Sequence, residues 1–282
     1  MPAKQILKPQ QQFQLRAALQ TAALAALMDS RRWEPGDLAF QGGTCLHLAH
    51  GSMRFSEDLD FMVRGGLSLD GLAKEVQRRL QLPPNTPAGL SVSVAPSRTE
   101  RNPHAFTLTL SGPNFIGSAK VKIELWQTDA AVLKTLQLVV KPLATSSGTP
   151  TYVPSITLEE ILSDKVYALG ARERLKPRDI HDLWWLQQQG PLSPTLNPAG
   201  LVARLAIYPQ GSGAETAQKW LLNAAQRMAD LQENATPALV TADLQRWLPS
   251  AWGMDAARAR TMLQVAQQQL QAGMAVMQAF AG

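Results

Sequence analysis

The chain has 282 residues, 45% of them hydrophobic and 17% charged, which excludes a disordered chain and is enough for one large domain or two of ordinary size. Its net charge of +5 suits a nucleotide or nucleic-acid partner as well as it suits a plain solvated basic surface. A single cysteine, Cys45, excludes an intramolecular disulfide and a cysteine-rich zinc site, and the low aromatic content advertises no stacking platform for single strands.

No basic-then-apolar leader opens the chain. The longest apolar stretch, 17–28, is interrupted by polar residues and too short for a bilayer, so no membrane partner and a cytoplasmic location are expected. Residues 10–30 lack Gly and Pro and predict a helix. LAFQGG (38–43) predicts a short strand entering a glycine turn, TCLHLAHG (44–51) a short helix stopped by Gly51, and DLDFMV (58–63) a second strand. An amphipathic helix is expected over 67–82.

The pattern then changes. Segments 90–96, 104–112 and 119–127 alternate with period two, and the separators PPNTPAG and SGPNFIGS have turn chemistry. A weaker strand is expected at 136–140 and a loop at 142–150. From Thr157 onward only helical patterns occur, broken at Pro177, 188–198, 208–213, 236–237 and 248–253, with a last helix over 255–280. The division expected is an α/β domain over 1–155 and an all-helical domain over 156–282.

The chemistry concentrates at DLDF. Alternate side chains on a strand share a face, so Asp58 and Asp60 point one way and Leu59, Phe61 and Val63 the other. Two carboxylates that close repel unless something positive stands between them, and a hard divalent cation is the usual solution. A bare Asp-x-Asp is more often a strand end facing water. Here Gly42 and Gly43 stand upstream in a strand-to-helix turn, where backbone N–H groups can approach a phosphate closely. Thr44 adds a hydroxyl, and Arg54 and Ser56 are further candidates for triphosphate contact. The histidines form no HExxH pattern; His47 and His50, three apart, could share a helical face, but with no third ligand in the sequence they are read as surface or core residues rather than a metal site.

The stretch QGGTCLHLAHGSMRFSEDLDF (41–61) resembles motif I of the AbiEii/AbiGii toxin family, nucleotidyltransferases of the DNA polymerase β-like superfamily that include the MenT toxins. Cys45 departs from the small residue common there. The resemblance implies an α+β fold, a nucleotidyltransferase-type mixed β-sheet with helices, followed by the all-helical domain. It also implies a third acid on a later strand. In AKVKIELWQ (119–127), Glu124 and Lys122 share a face opposite Val121, Ile123 and Leu125. Glu124 resembles the carboxylate that completes the metal site or takes the acceptor's proton.

The helix TLEEILSDKVYALGAR (157–172) opens with a candidate capping box, Thr157 and Glu160. Lys165 falls on its apolar stripe, and a lysine facing inward needs a partner. Lys165 resembles the lysine of family motif III. RERLKPRDIHDLWWL (172–186) resembles motif IV, with Asp179 and Asp182 as neighbours on a helix. Asp179 is also favourable as a first-turn acid, and Arg178 with Asp182 as an i,i+4 ion pair. Arg172, Arg174, Lys176 and Arg178 form a basic cluster suited to phosphate, or simply a solvated helix end. The C-terminal third matches no motif.

The resemblance implies Mg²⁺ as cofactor, with Mn²⁺ as alternative, held by Asp58, Asp60 and Glu124. It implies a nucleoside triphosphate as substrate, bound by Gly42, Gly43, Thr44, Arg54, Ser56, Lys165, Arg178 and Asp182, and catalysis resting on Asp58, Asp60, Glu124, Lys165 and Asp179. It further implies a bacterial toxin with tRNA as acceptor and a separate antitoxin as partner. The rival readings are a small-molecule nucleotidyltransferase, a nucleotide- or RNA-binding protein without transfer activity, and a structural interaction module.

Overall fold

The computed structural model describes residues 4–96, 102–145, 148–208 and 213–282. They fall into two compact units. The first consists of Met1–Ala49, Glu57–Lys134 and Leu138–Ser155, and the second of His50–Ser56, Thr135–Gln137 and Ile156–Gly282.

The first unit holds β1 (Gln5–Ile6), α1 (Pro9–Asp29), β2 (Leu38–Gln41), α2 (Gly42–Leu48), β3 (Leu59–Arg64), α3 (Leu72–Arg79), β4 (Ser91–Pro96), β5 (His104–Ser111), β6 (Phe115–Ile116) and β7 (Ala119–Thr128). It continues through α4 (Ala130–Thr135), β8 (Leu138–Leu143) and β9 (Thr151–Ile156), whose final residues in α4 and β9 already belong to the second unit. A seven-stranded sheet runs in the order β4-β5-β7-β3-β2-β9-β8. It is mixed: β3 is parallel to β7 and β2 to β9, while β2/β3, β4/β5 and β5/β7 are antiparallel.

The alternation expected of β7 is observed, with Val121, Ile123 and Leu125 fully buried and Lys122 exposed. Helix α1 lies against β7, and its buried residues Leu15, Leu19, Ala22, Ala23, Ala26 and Leu27 recur at three- and four-residue spacing. Together these faces build the core of the first unit, and they agree with the mixed α+β architecture expected.

Several local expectations need correction. The helix expected over 67–82 begins only at Leu72, because the Asp70 amide donates to the Ser68 hydroxyl and Gly71 takes a left-handed φ of 71°. Such side-chain bonds offer the backbone an alternative to helix. The loop expected over 142–150 is followed by a strand that was not expected, β9; Pro154 within it removes a ladder donor and disguises the pattern. The separator SGPNFIGS contains β6, which pairs in parallel with β1. Parts of 142–150 and 208–213 lie outside the described residues.

The second unit is built from α5 (Leu158–Ala171), α6 (Pro177–Leu186), α7 (Pro198–Ile207), α8 (Gly213–Ala229), α9 (Pro237–Leu244) and α10 (Ala256–Ala281). The expected capping box on α5 does not form. Among the described residues the buried Thr157 Oγ1 has no hydrogen-bond partner, and Glu160 is drawn instead to the Gln137 amide at 3.2 Å and to Arg204, whose Nη1 lies 2.7 Å away. Arg204, fully buried, also donates to Asp164 at 2.6 Å and so ties α7 to α5. Among the described residues, no helix is long and apolar enough to cross a membrane.

Gly170 on α5 packs against Trp220 of α8. A Cβ there would sit 2.3 Å from the ring of Trp220, which is itself fixed by donating from Nε1 to the Tyr167 carbonyl at 2.9 Å. Gly170→Ala should therefore lower stability by about 1–2 kcal/mol, overpacking outweighing the gain in helix propensity. A denaturant titration followed by circular dichroism checks this; unchanged or raised stability would show that Trp220 can move.

Candidate active site

Strands β2, β3 and β7 set the first group of residues. The register pairs Gln41 with Asp60 across β2/β3, and Asp60 with Glu124 across β3/β7. Directly paired residues share a face, so these three side chains form a row on one side of the sheet. Behind them the other face is apolar: Leu59, Phe61 and Ile123 are fully buried, and Phe61 stacks on Phe40 with ring centroids 5.0 Å apart. For Asp60, Leu59 and Phe61 this is the partition expected from the alternation in DLDF; Asp58 precedes the strand, which starts at Leu59 rather than at residue 58.

Gly42 follows the row with φ +79°, and a Cβ on it would lie 2.5 Å from Asp60 Oδ2. Only glycine admits both that backbone and the carboxylate packed on it. The hydroxyl of Thr44, buried, donates to the Asp58 carbonyl. That bond ties the glycine turn to the start of β3, so Thr44 positions Asp58. Arg16 and Gln20 on α1, which the motifs did not single out, hold Glu57 just upstream: Arg16 Nη1 reaches its carboxylate at 2.7 Å and Gln20 Nε2 its carbonyl at 2.9 Å.

Glu124 is bonded by the ammonium of Lys122. That bond raises the Lys122 pKa, and the charges of Asp58 and Asp60 add to the effect against partial desolvation. Among the described residues, no three His, Cys, Asp or Glu side chains converge to hold a metal ion, so the three-carboxylate cage expected of Asp58, Asp60 and Glu124 is not assembled. The donor set still fits a hard divalent cation of the magnesium kind. Such ions are bound by one or two carboxylates together with substrate phosphates and waters, rather than by an all-protein cage.

The second unit gathers the other group. Asp182 accepts from Arg54 in a bidentate fork, Nε at 2.6 Å and Nη2 at 2.8 Å, and lies 2.7 Å from Lys165 Nζ. Asp179 accepts from Lys165 at 3.1 Å and from Arg172. Arg54, Lys165, Asp179 and Asp182 are all buried. Burial alone would raise the pKa of Asp182, but Arg54 and Lys165 overcome it and hold that carboxyl well below the usual range. Burial likewise opposes the charge on Lys165, yet Asp182 and Asp179 leave its pKa raised. The inward lysine thus has its partner in two carboxylates of its own unit.

Other expectations resolve differently. Arg54 is committed to Asp182 and to the Phe55 carbonyl. Arg178 does not pair with Asp182; its guanidinium lies 4.3 Å from the ring centre of Trp247. Ser56 is half-buried in the segment His50–Ser56 of the second unit, and Gly43 is buried in α2. Arg227, which no motif indicated, donates to the Arg172 carbonyl at 2.8 Å and to that of Glu173, pinning the start of the basic segment.

The chain matches the family described as "Nucleotidyl transferase AbiEii toxin, Type IV TA system" over residues 25–257. It belongs to this family of toxin nucleotidyltransferases. Two solved structures share the fold. MenT4, a nucleotidyltransferase toxin from Mycobacterium tuberculosis H37Rv, is 17% identical with a TM-score of 0.56, the match covering 96% of this chain and 87% of that one. JHP933 from Helicobacter pylori is 16% identical with a TM-score of 0.50, covering 98% and 100%. No curated protein sequence matches.

Two predictions follow from the buried ion network. Arg54→Met removes the fork on Asp182 and should cost about 3 kcal/mol or more, because an underpaired buried carboxylate remains; equilibrium unfolding measures this, and a loss below about 1 kcal/mol would mean the pair is dispensable. The second concerns His181, buried between Trp184 and Trp252, where burial pulls its pKa below the ordinary value despite Asp182 at 3.4 Å. The unfolded chain then binds a proton near pH 6.5 that the folded chain refuses, so stability should fall as pH drops through about 6.5. His181→Phe should flatten that limb, leaving the steeper loss below about pH 4 from the depressed Asp182 and Asp179. An equal slope in both proteins between pH 7 and 5 would refute the assignment.

Proposed function

We propose that the protein transfers a nucleoside monophosphate from a nucleoside triphosphate to an acceptor hydroxyl, using Mg²⁺ bound at Asp58 and Asp60. The observation that carries this reading is the carboxylate of Asp60 lying against the bare Cα of Gly42, one strand from Glu124. A backbone open enough for that approach is also open to phosphate oxygens. When bound, the cation supplies positive charge to the triphosphate and to the pyrophosphate that leaves.

The chain's own groups would do the rest. Asp58, set by Thr44, and Asp60 bind the cation. Gly42 and Gly43 admit the phosphates. Glu124 accepts the proton of the attacking hydroxyl while Lys122 orients it. In the second unit, Lys165 is a separate candidate for contact with an anionic group, held by Asp179 and Asp182 with Arg54 fixing Asp182. Arg172, Arg174, Lys176 and Arg178 favour an anionic acceptor. The Lys176 ammonium has its pKa lowered, first by the charge of Arg172, then by desolvation and further by Arg178, a sign of concentrated positive potential. tRNA is therefore the first acceptor to test, and the toxin–antitoxin character of the family supports a cognate antitoxin protein as partner.

The test incubates purified protein with Mg²⁺, each labelled nucleoside triphosphate in turn, and bulk tRNA or small hydroxyl compounds. We expect label transfer to tRNA, lost by about a thousandfold or more in Asp58→Ala, the scale of removing an electrostatic group from a transition state. Transfer only to a small molecule would replace the acceptor. Tight nucleotide binding with no transfer to any acceptor would overturn the enzymatic assignment of this site.

A further inference from the structure

Gln41 is the last residue of β2, immediately before the glycine turn, in the strand LAFQ whose four residues are all buried. It is only 3% exposed, and its Oε1 has no hydrogen-bond partner among the described residues. A buried amide oxygen is normally satisfied, and each exception asks for an explanation. The acids beside it in the sheet cannot satisfy it. The register sets it beside Asp60 in the row that continues to Glu124, and carboxylates are themselves acceptors. What the position lacks is a donor.

We propose that Gln41 is a positioning residue whose amide oxygen accepts a hydrogen bond from a water in the coordination shell of the divalent cation held by Asp58 and Asp60. The inference rests on the metal-dependent reading above. Paired residues on adjacent antiparallel strands stand about 5 Å apart at Cβ, a distance an outer-sphere contact can span and a direct metal bond need not. Phosphates offer no donor at neutral pH, whereas water polarised by a cation is a strong one. Glu124 and Gln41 flank Asp60 on opposite sides in the sheet, so the amide would fix the hydration of the ion on the side away from Glu124.

The test is binding of Mn²⁺, read by electron paramagnetic resonance and water-proton relaxation, with and without a non-hydrolysable nucleoside triphosphate. Four proteins are compared: wild type, Gln41→Met, Gln41→Glu and Asp58→Ala. Loss of an outer-shell partner typically weakens metal binding by ten- to a hundredfold. We expect Gln41→Met to lose on the order of tenfold in Mn²⁺ affinity, with unfolding midpoint unchanged or raised, since it removes an unsatisfied acceptor in nearly the same volume. Gln41→Glu, which keeps an acceptor, should bind at least as tightly as wild type. Unchanged affinity in Gln41→Met, or equal loss in Gln41→Glu, overturns the role of Gln41 while Asp58→Ala still loses the ion. Absence of Mn²⁺ binding in wild type, with nucleotide present, would instead remove the metal-dependent reading and this inference with it.

Discussion

Carboxylates brought close together must be neutralised, and both units are organised around that requirement. In the second unit, Asp179 and Asp182 are buried side by side on one turn of α6, a placement that burial alone would make untenable for two anions. Lys165, Arg54 and Arg172 answer it with close ion pairs from α5, from the segment before β3, and from the end of α5. Removing any one cation leaves a buried carboxylate underpaired, which is costly. In the first unit the acids sit on a sheet face, and there the Lys122 ammonium bonds Glu124 and feels the charge of Asp58 and Asp60 as well.

The two solutions suit different tasks. A network closed by forks and ammonium contacts is rigid and holds its members in one arrangement. A row of acids on strands of fixed register presents oxygens at set spacing without enclosing them. The glycine turn takes part in this, since the Asp60 carboxylate packs where a side chain on Gly42 would stand. The second unit's acids, by contrast, are matched by cationic side chains of that unit.

How far this was readable from sequence depends on the range of each interaction. Asp58 and Asp60 stood out because period-two alternation and the glycine turn lie within one short stretch. The inward face of Lys165 followed from the stripe of its own helix. The partner of Arg54 did not, because Asp182 is 128 positions away and nothing local encodes that pairing. The capping box failed for the same reason: Arg204, far along the chain, competes for Glu160. Gln41 left a local trace that went unused, a polar residue ending an otherwise apolar strand just before the turn.

The stretch 41–61 reads as one motif, yet its residues serve both units. Gly42, Thr44, Asp58 and Asp60 belong with the sheet, while His50–Ser56, including Arg54, belongs with the helices. His50 Nε2 lies 2.9 Å from the Ile156 carbonyl and the Phe55 amide donates to the Trp247 carbonyl at 2.8 Å, so that segment is anchored to the helical unit at both ends. A basic residue between a glycine turn and paired acids invites a ligand role, but Arg54 is buried and forked onto Asp182. Its contribution is therefore to hold the acid that in turn holds Lys165. The motif thereby carries two separate physical demands in a single run of sequence: acids spaced by a strand, and a guanidinium matched to a carboxylate contributed by a distant helix.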